Sequence, residues 1–164
     1  MRVGSGYDSH RFAAGRRLIL GGLEAPSEKG LLGHSDADVL VHAICDAILG
    51  AIGEGDLGRH FPDTEPSLKD VSSMSILETV RRMAAGKGYR IANVDSTVIL
   101  ERPRLASYIP AMIENIARTL AIPVQRINIK VKTNEGMGFI GRGEGIAAMA
   151  VVLLQENEDG EDAG

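Results

Sequence analysis

The stretch Val3–His10, with the sequence VGSGYDSH, is the part of the chain from which fold and function are best worked out. Asp8 and His10 are two positions apart, and side chains at i and i+2 of a strand point to the same face. A short strand here would therefore place a carboxylate beside an imidazole, two ordinary ligands of a metal ion. His42 is the candidate third ligand. A surface turn with two incidental polar residues is the alternative, because an Asp-x-His pattern alone is a weak signal.

The region around His42 has the pattern of a long helix, from Ser35 or Asp36 as N-cap to about residue 53. Asp38, His42 and Asp46 are spaced by four residues, so they share one face of that helix. A polar stripe is usually a solvated face. However, a ligand histidine commonly shares its second ring nitrogen with a carboxylate. Asp38 and Asp46 are therefore candidates for holding His42 in place.

Length and composition narrow the classes of protein that are possible. The 164 residues suffice for one domain. Trp is absent and the net charge is −4, which argues against a nucleic-acid partner. No apolar run is long enough to span a membrane, so no membrane partner is expected. The N-terminus leads into the strand pattern without a signal segment, and Cys45 is the only cysteine, so we expect a cytoplasmic protein.

The remaining periodicities predict the order β-β-α-α-β-α-β-β. The predicted strands cover residues 2–12, 18–20, 89–100, 127–131 and 146–154, and the predicted helices cover 35–53, 67–88 and 105–120. The second strand should form a hairpin with the first, residues 21–33 should be a loop, and the apolar last strand should be buried on both faces. This order predicts an α+β single domain over residues 1–155, with a mixed or antiparallel β-sheet covered by helices. Residues 156–164 are predicted to be an acidic, disordered tail.

Four blocks of sequence resemble the family of 2-C-methyl-D-erythritol 2,4-cyclodiphosphate synthases. The blocks are GSGYDSH at 4–10, GHSDADVLVHA at 33–43, GDLGRHFPDT at 55–64 and TNEGMGFIGRGEG at 133–145. The resemblance extends to Leu154. It implies a phosphorus–oxygen lyase of the non-mevalonate isoprenoid pathway. Such an enzyme converts 4-diphosphocytidyl-2-C-methyl-D-erythritol 2-phosphate to 2-C-methyl-D-erythritol 2,4-cyclodiphosphate and CMP, through metal-assisted attack of the 2-phosphate on the β-phosphorus.

The resemblance also implies divalent metal ions as cofactors. Asp8, His10 and His42 match the ligands of Zn²⁺, which Mn²⁺ could replace, and Glu135 matches a ligand of Mg²⁺ or Mn²⁺. His34 and Thr133 match the residues that stabilise the transition state. These six residues, apart from His42, also match substrate contacts. The further matching substrate contacts are Ser35, Asp56, Gly58, Phe61, Asp63, Thr64, Glu65, Leu100, Pro103, Arg104, Leu105, Ala106, Lys132, Asn134, Phe139 and Arg142.

Two positions depart from the family pattern. Lys132 stands where many relatives have a small hydroxyl residue, and Arg104 replaces a common Lys, whose geometry differs from that of Arg. The resemblance further implies a homotrimer with active sites between subunits, and a central cavity that holds an isoprenoid diphosphate near Arg142 and Glu144. Two other functions remain open. The chain could be a non-catalytic trimer that binds metal or isoprenoid diphosphate, or a metal-dependent phosphohydrolase.

Overall fold

A five-stranded sheet with helices packed on one face forms the frame of residues 1–157, the part of the chain that the computed structural model describes. Within this range the strands are β1 (Arg2–Ala14), β2 (Leu18–Leu20), β3 (Leu23–Ala25), β4 (Lys29–Leu31), β5 (Tyr89–Ile99), β6 (Ile127–Lys132) and β7 (Gly145–Glu156). The helices are α1 (Val39–Ala51), α2 (Leu57–His60), α3 (Ser73–Gly86), α4 (Ile109–Leu120) and α5 (Gly138–Gly141), with 3-10 turns at Pro66–Leu68 and Val124–Arg126.

The sheet has the strand order β4-β1-β7-β5-β6. β1 pairs antiparallel with β4 and β7, and β7 pairs antiparallel with β5, whereas β5 and β6 are parallel. The prediction of an α+β fold with a mixed sheet is therefore confirmed. α1 packs on β1 and β7, α3 packs beside α1, and α4 packs beside α3, so the three helices form one layer.

The segment between β1 and α1 differs from the prediction. β2 pairs with β3 rather than with β1, so the predicted hairpin is wrong. Residues 21–33, predicted to be a loop, contain β3 and β4. Strands of three residues show little more than one period of alternation, so a pattern search does not detect them.

The predicted helix boundaries were less accurate than the helices themselves. α1 begins at Val39, and its N-cap is Asp38 rather than Ser35 or Asp36. The carboxylate of Asp38 accepts a hydrogen bond from the Val41 N–H at 3.1 Å. α3 begins at Ser73 rather than near residue 67, because Pro66–Leu68 form a separate 3-10 turn before it.

β1 and α1 approach each other at backbone contact distance. A Cβ atom at Gly4 would lie 1.9 Å from the carbonyl oxygen of Ala47, and one at Gly6 would lie 2.0 Å from that of Ala43. Any side chain would push the strand and helix apart, so both positions require glycine. This contact fixes where the residues that follow in β1 lie relative to α1.

The face of the sheet that the helices leave free is partly apolar. Met149 and Val151 of β7 are 52% and 47% exposed, so the prediction that this strand is buried on both faces is wrong for the single chain. On the neighbouring β1, Tyr7 lies opposite Met149, and Val3 and Tyr7 are also exposed. We call these four residues, Val3, Tyr7, Met149 and Val151, the open sheet face.

The C-terminal part of the described range continues the last strand. β7 extends to Glu156, the first residue of the predicted tail, and the Asn157 N–H donates to the carbonyl of Gly88 at 2.8 Å. The rest of the predicted tail, residues 158–164, lies outside the described residues. Among residues 1–157, no helix combines the length and the apolar character needed to cross a membrane.

Candidate active site

Asp8, His10 and His42 come together as a cluster of potential metal ligands. β1 presents the first two on one face, as their spacing predicted, and α1 supplies the third. One ligand atom from each residue lies within 4.8 Å of the others. His10 Nδ1 and His42 Nδ1 each lie 3.0 Å from Asp8 Oδ2. Residues far apart in sequence therefore meet at one point, where β1 crosses α1.

The donor atoms of this cluster fit a divalent cation. His10 Nδ1 is buried and, among the described residues, has no hydrogen-bond partner. Asp8 Oδ2 is near it but is not aligned to accept from it. An unsatisfied buried nitrogen is costly, and a shared cation would give it a partner. Two imidazole nitrogens and one carboxylate also leave a fourth position open in a tetrahedral site. These three residues could therefore hold a metal ion.

The electrostatics of the cluster favour an ionised Asp8 carboxylate next to a positive charge. Burial of Asp8 would raise its pKa, but the imidazoles of His10 and His42 together hold that pKa well below its usual range. Burial of His42 would lower its pKa, but the hydrogen bond and charge of Asp8 outweigh burial and raise the pKa above 6.5. The site therefore stabilises a positive charge beside Asp8.

The second ring nitrogen of His42 faces serine hydroxyls. Nε2 lies 2.9 Å from Ser73 Oγ and 3.2 Å from Ser35 Oγ. The hypothesis that Asp38 or Asp46 holds His42 is therefore wrong. Both carboxylates are engaged by backbone N–H groups: Asp38 accepts from Gly22 at 2.7 Å in addition to capping α1, and Asp46 accepts from Leu57 at 2.7 Å.

An open cleft of about 950 Å³ lies over the cluster. The predicted site residues that line it are Asp8, His10, His34, Ser35, His42, Asp56, Gly58, Phe61, Asp63 and Phe139. The Asp56 carboxylate caps α2 by accepting from the Arg59 N–H at 3.0 Å. His34 Nε2 lies 2.9 Å from the carbonyl oxygen of Glu65, which follows the exposed Thr64. The cleft therefore gathers three of the four matching sequence blocks and part of the fourth.

A second set of predicted residues lies where the parallel strands β5 and β6 end. It comprises Leu100, Pro103, Arg104, Leu105, Ala106, Lys132, Thr133, Asn134 and Glu135, and we call it the edge group. The Leu100 N–H donates to the Lys132 carbonyl at 2.9 Å, and the Glu101 carboxylate accepts from the Asn134 N–H at 2.9 Å. Within the described range none of these residues lines the cleft. Pro103 and Arg104 line another hollow, of about 580 Å³, together with Arg142.

Two members of the edge group cannot present their side chains to a ligand. Leu100 and Leu105 are 2% and 1% exposed and belong to the hydrophobic core. Any ligand contact at these positions would therefore use the backbone. Thr133 and Glu135, by contrast, are exposed, and the Thr133 hydroxyl donates to the Glu135 carboxylate at 3.2 Å.

The sequence pattern missed two residues that shape the cleft. Ser73 contacts His42, as described above. Arg16 donates to the backbone carbonyls of Leu31, Gly33 and Ser35, at 3.2, 3.3 and 2.8 Å, and so fixes the segment that carries His34. Neither residue falls in a matching block. A serine pair before a helix indicates only an N-cap, so the sequence contained no signal for the role of Ser73.

Comparisons with known proteins identify the family. A sequence model of the YgbB family matches residues 1–155. The chain is 60% identical over 154 residues to the 2-C-methyl-D-erythritol 2,4-cyclodiphosphate synthase of Pelobacter propionicus, covering 94% of this chain and 98% of the relative. It is 60% identical over 159 residues to the enzyme of that name from Syntrophus aciditrophicus, covering 97% and 100%.

Solved structures agree with the sequence comparison. The fold resembles that of a 2C-methyl-D-erythritol-2,4-cyclodiphosphate synthase in its CDP-bound form, with a TM-score of 0.86 and 38% sequence identity. The similarity covers 94% of this chain and 100% of that structure. The chain therefore belongs to the YgbB family, in which its relatives are 2-C-methyl-D-erythritol 2,4-cyclodiphosphate synthases.

Proposed function

We propose that the chain catalyses the reaction for which its relatives are named. It converts 4-diphosphocytidyl-2-C-methyl-D-erythritol 2-phosphate to 2-C-methyl-D-erythritol 2,4-cyclodiphosphate and CMP, as a phosphorus–oxygen lyase of the non-mevalonate isoprenoid pathway. The observation that carries this proposal is the Asp8-His10-His42 cluster under an open cleft, in a chain 60% identical to enzymes of that name. We also propose a reducing cytoplasm as its compartment, because Cys45 is the only cysteine and is buried.

The reaction brings a dianionic phosphate up to the β-phosphorus of a charged diphosphate, and the like charges repel each other. A chain with a net charge of −4 does not offset this repulsion through its overall field. We assign Asp8, His10 and His42 to Zn²⁺ or Mn²⁺, and Glu135 to Mg²⁺ or Mn²⁺. Once bound, these ions would supply positive charge beside the phosphate oxygens. The cluster supports the first assignment through its donor set. The second rests on the family pattern.

His34 and Thr133 are the residues we propose as stabilisers of the transition state. His34 enters the cleft from the segment that Arg16 fixes, and its contact with the Glu65 carbonyl requires a proton on Nε2. If His34 exchanges the Glu65 carbonyl for a phosphate oxygen, this N–H, together with the Thr133 hydroxyl, would stabilise the charge that develops on the oxygens of the phosphorus under attack. Ser35, at the entrance to α1, contributes a further hydroxyl to the cleft.

The remaining contacts divide between the two ends of the substrate. Asp56, Phe61 and Asp63 line the cleft and supply carboxylates and an apolar surface for hydroxyl groups and a methyl-bearing carbon chain. Residues 100–106 supply backbone groups for the cytosine ring. The solved relative with CDP bound supports a cytidine nucleotide as the ligand.

We propose that the active protein is a homotrimer with active sites between subunits. The edge group lies outside the cleft of its own chain, so one chain does not bring Thr133 and Glu135 to the Asp8-His10-His42 cluster. The open sheet face is apolar, as expected of a surface that another copy covers. The proposed central cavity for an isoprenoid diphosphate would include Arg142, whose guanidinium donates to Glu144 at 2.6 Å.

Product analysis tests the proposed function directly. The protein is incubated with the cytidylyl substrate, Zn²⁺ and Mg²⁺, and the products are identified by phosphorus NMR. Cyclic diphosphate and CMP in equal amounts are expected. Release of inorganic phosphate would instead identify a phosphohydrolase, and metal binding without turnover would identify a non-catalytic binding protein. The His42→Ala variant should lose both bound zinc and turnover.

A further inference from the structure

Ser73 stands between a carboxylate and the ligand histidine. It is the first residue of α3 and is fully buried. Its hydroxyl donates to Asp36 Oδ1, and its backbone N–H donates to Asp36 Oδ2 at 3.0 Å. Its Oγ also lies 2.9 Å from His42 Nε2. Both oxygens of Asp36 therefore act as acceptors toward Ser73, and the serine joins Asp36 to His42.

The direction of the Ser73 hydroxyl proton determines which ring nitrogen of His42 carries a proton. Because that proton points to Asp36, only oxygen lone pairs remain for His42 Nε2. Nε2 must then carry a proton and donate it to Ser73. In a neutral imidazole, a proton on Nε2 leaves the lone pair on Nδ1, the nitrogen that lies 3.0 Å from Asp8. Ser35 makes the longer contact with Nε2, and its oxygen also accepts from the Ala37 N–H.

We propose that Ser73, oriented by Asp36, is a positioning residue that holds His42 in the tautomer and orientation needed for metal binding through Nδ1. The inference rests on the metal-dependent function proposed above. Neighbouring backbone bonds support it. The Asp36 N–H donates to the Val71 carbonyl at 3.1 Å, and the Asp70 N–H donates to the His34 carbonyl at 2.8 Å. The segment before α3 is thus fastened to the segment before α1, and the serine has little freedom to move.

Zinc affinity of the full chain, measured by competition with a chromogenic chelator, tests this role without using the reaction. Ser73→Ala should weaken zinc binding by about ten- to a hundredfold, the usual effect of removing a partner of a ligand histidine. Ser72→Ala is the matched control, since Ser72 caps the same helix but does not contact His42. It should bind zinc like the wild type. Equal zinc affinity in Ser73→Ala and wild type would overturn the proposal.

A second measurement needs no variant and therefore does not depend on whether Ser73→Ala folds. In the zinc-loaded wild type, nitrogen-15 NMR of the imidazoles should show a slowly exchanging Nε2–H on His42. A His42 that ligates zinc through Nε2 would contradict the proposal. Kinetics separate this inference from the proposed function. If wild type and Ser72→Ala bind zinc tightly, Ser73→Ala binds it weakly and no variant forms the cyclic product, the proposed function fails while the role of Ser73 stands.

Discussion

The carboxylate of Asp8 and Nδ1 of His42 lie 3.0 Å apart although the two residues are 34 positions apart in the chain. The backbone contact between β1 and α1 sets this distance. Gly6 lies against the carbonyl of Ala43, one residue beyond His42 in the helix, and Asp8 follows Gly6 by one pleat of the strand. The geometry of the cluster is therefore determined by the core of the protein rather than by a loop.

We expect Gly6→Ala to damage the metal cluster as well as the fold. The added Cβ would lie 2.0 Å from a backbone oxygen that cannot move alone, and relief requires the strand and helix to separate. Overpacking of this kind costs about 1–3 kcal/mol of unfolding free energy. Denaturant unfolding and zinc titration measure the two effects. Gly50→Ala is the control, because its nearest contact would be at 3.8 Å, and wild-type zinc binding by Gly6→Ala would refute the expectation.

The stability of the metal-free protein should fall as pH rises through the range in which His42 loses its proton. The pKa of His42 is raised above its usual 6.5 in the folded chain, so the stabilisation by Asp8 is fully present below that pH. It disappears as pH rises through the folded pKa. Melting temperatures in chelator at pH 6 and pH 8 measure this decline, which His42→Gln should lack. Identical pH trends in wild type and variant would contradict the assignment.

Zinc should reverse this pH dependence. A metal ion requires neutral His42, so binding displaces a proton and becomes tighter as pH rises. The increase in melting temperature on adding zinc should therefore be larger at pH 8 than at pH 6. A zinc effect that is independent of pH would show that His42 is not a ligand.

Asp46→Ala should weaken substrate binding but leave zinc binding unchanged. Asp46 accepts from the Leu57 N–H, and this bond holds α2 and its cap Asp56 at the wall of the cleft. Its loss should cost about 1–3 kcal/mol of unfolding free energy, because the partner N–H is left unpaired. We expect a higher KM with a normal zinc content, measured by steady-state kinetics and metal analysis. Loss of zinc in this variant would contradict this expectation and would show that Asp46 helps to hold His42 in place.

Mixing two inactive variants tests whether the active site is shared. His42→Ala damages the cleft, and Glu135→Ala damages the edge group while keeping zinc in the cleft. If each site combines a cleft from one subunit with an edge group from the next, co-expressed trimers should regain about a quarter of the wild-type activity, since one site in four receives two intact halves. Each variant alone is the control. Mixed oligomers that stay inactive would place the whole site within one chain.

The sequence predicted the parts of the site that depend on local periodicity. The spacing of two in β1 and the helical pattern around His42 indicated three ligands on neighbouring elements, and the structure brings them together. The partner of His42 could not be predicted, because Ser73 comes from another helix 31 residues away. β3 and β4 were not predicted, because each has three residues and so shows too little alternation to be detected. Which strand pairs with β1 depends on long-range contacts that no local pattern contains.

The open sheet face should make a newly synthesised chain prone to aggregation. With Val3, Tyr7, Met149 and Val151 exposed to water, a single subunit presents an apolar patch on the paired strands β1 and β7. Specific self-association would therefore compete with non-specific aggregation as soon as the sheet has formed. If the proposed homotrimer forms, the melting temperature of the protein should increase with protein concentration, because mass action favours the assembled state.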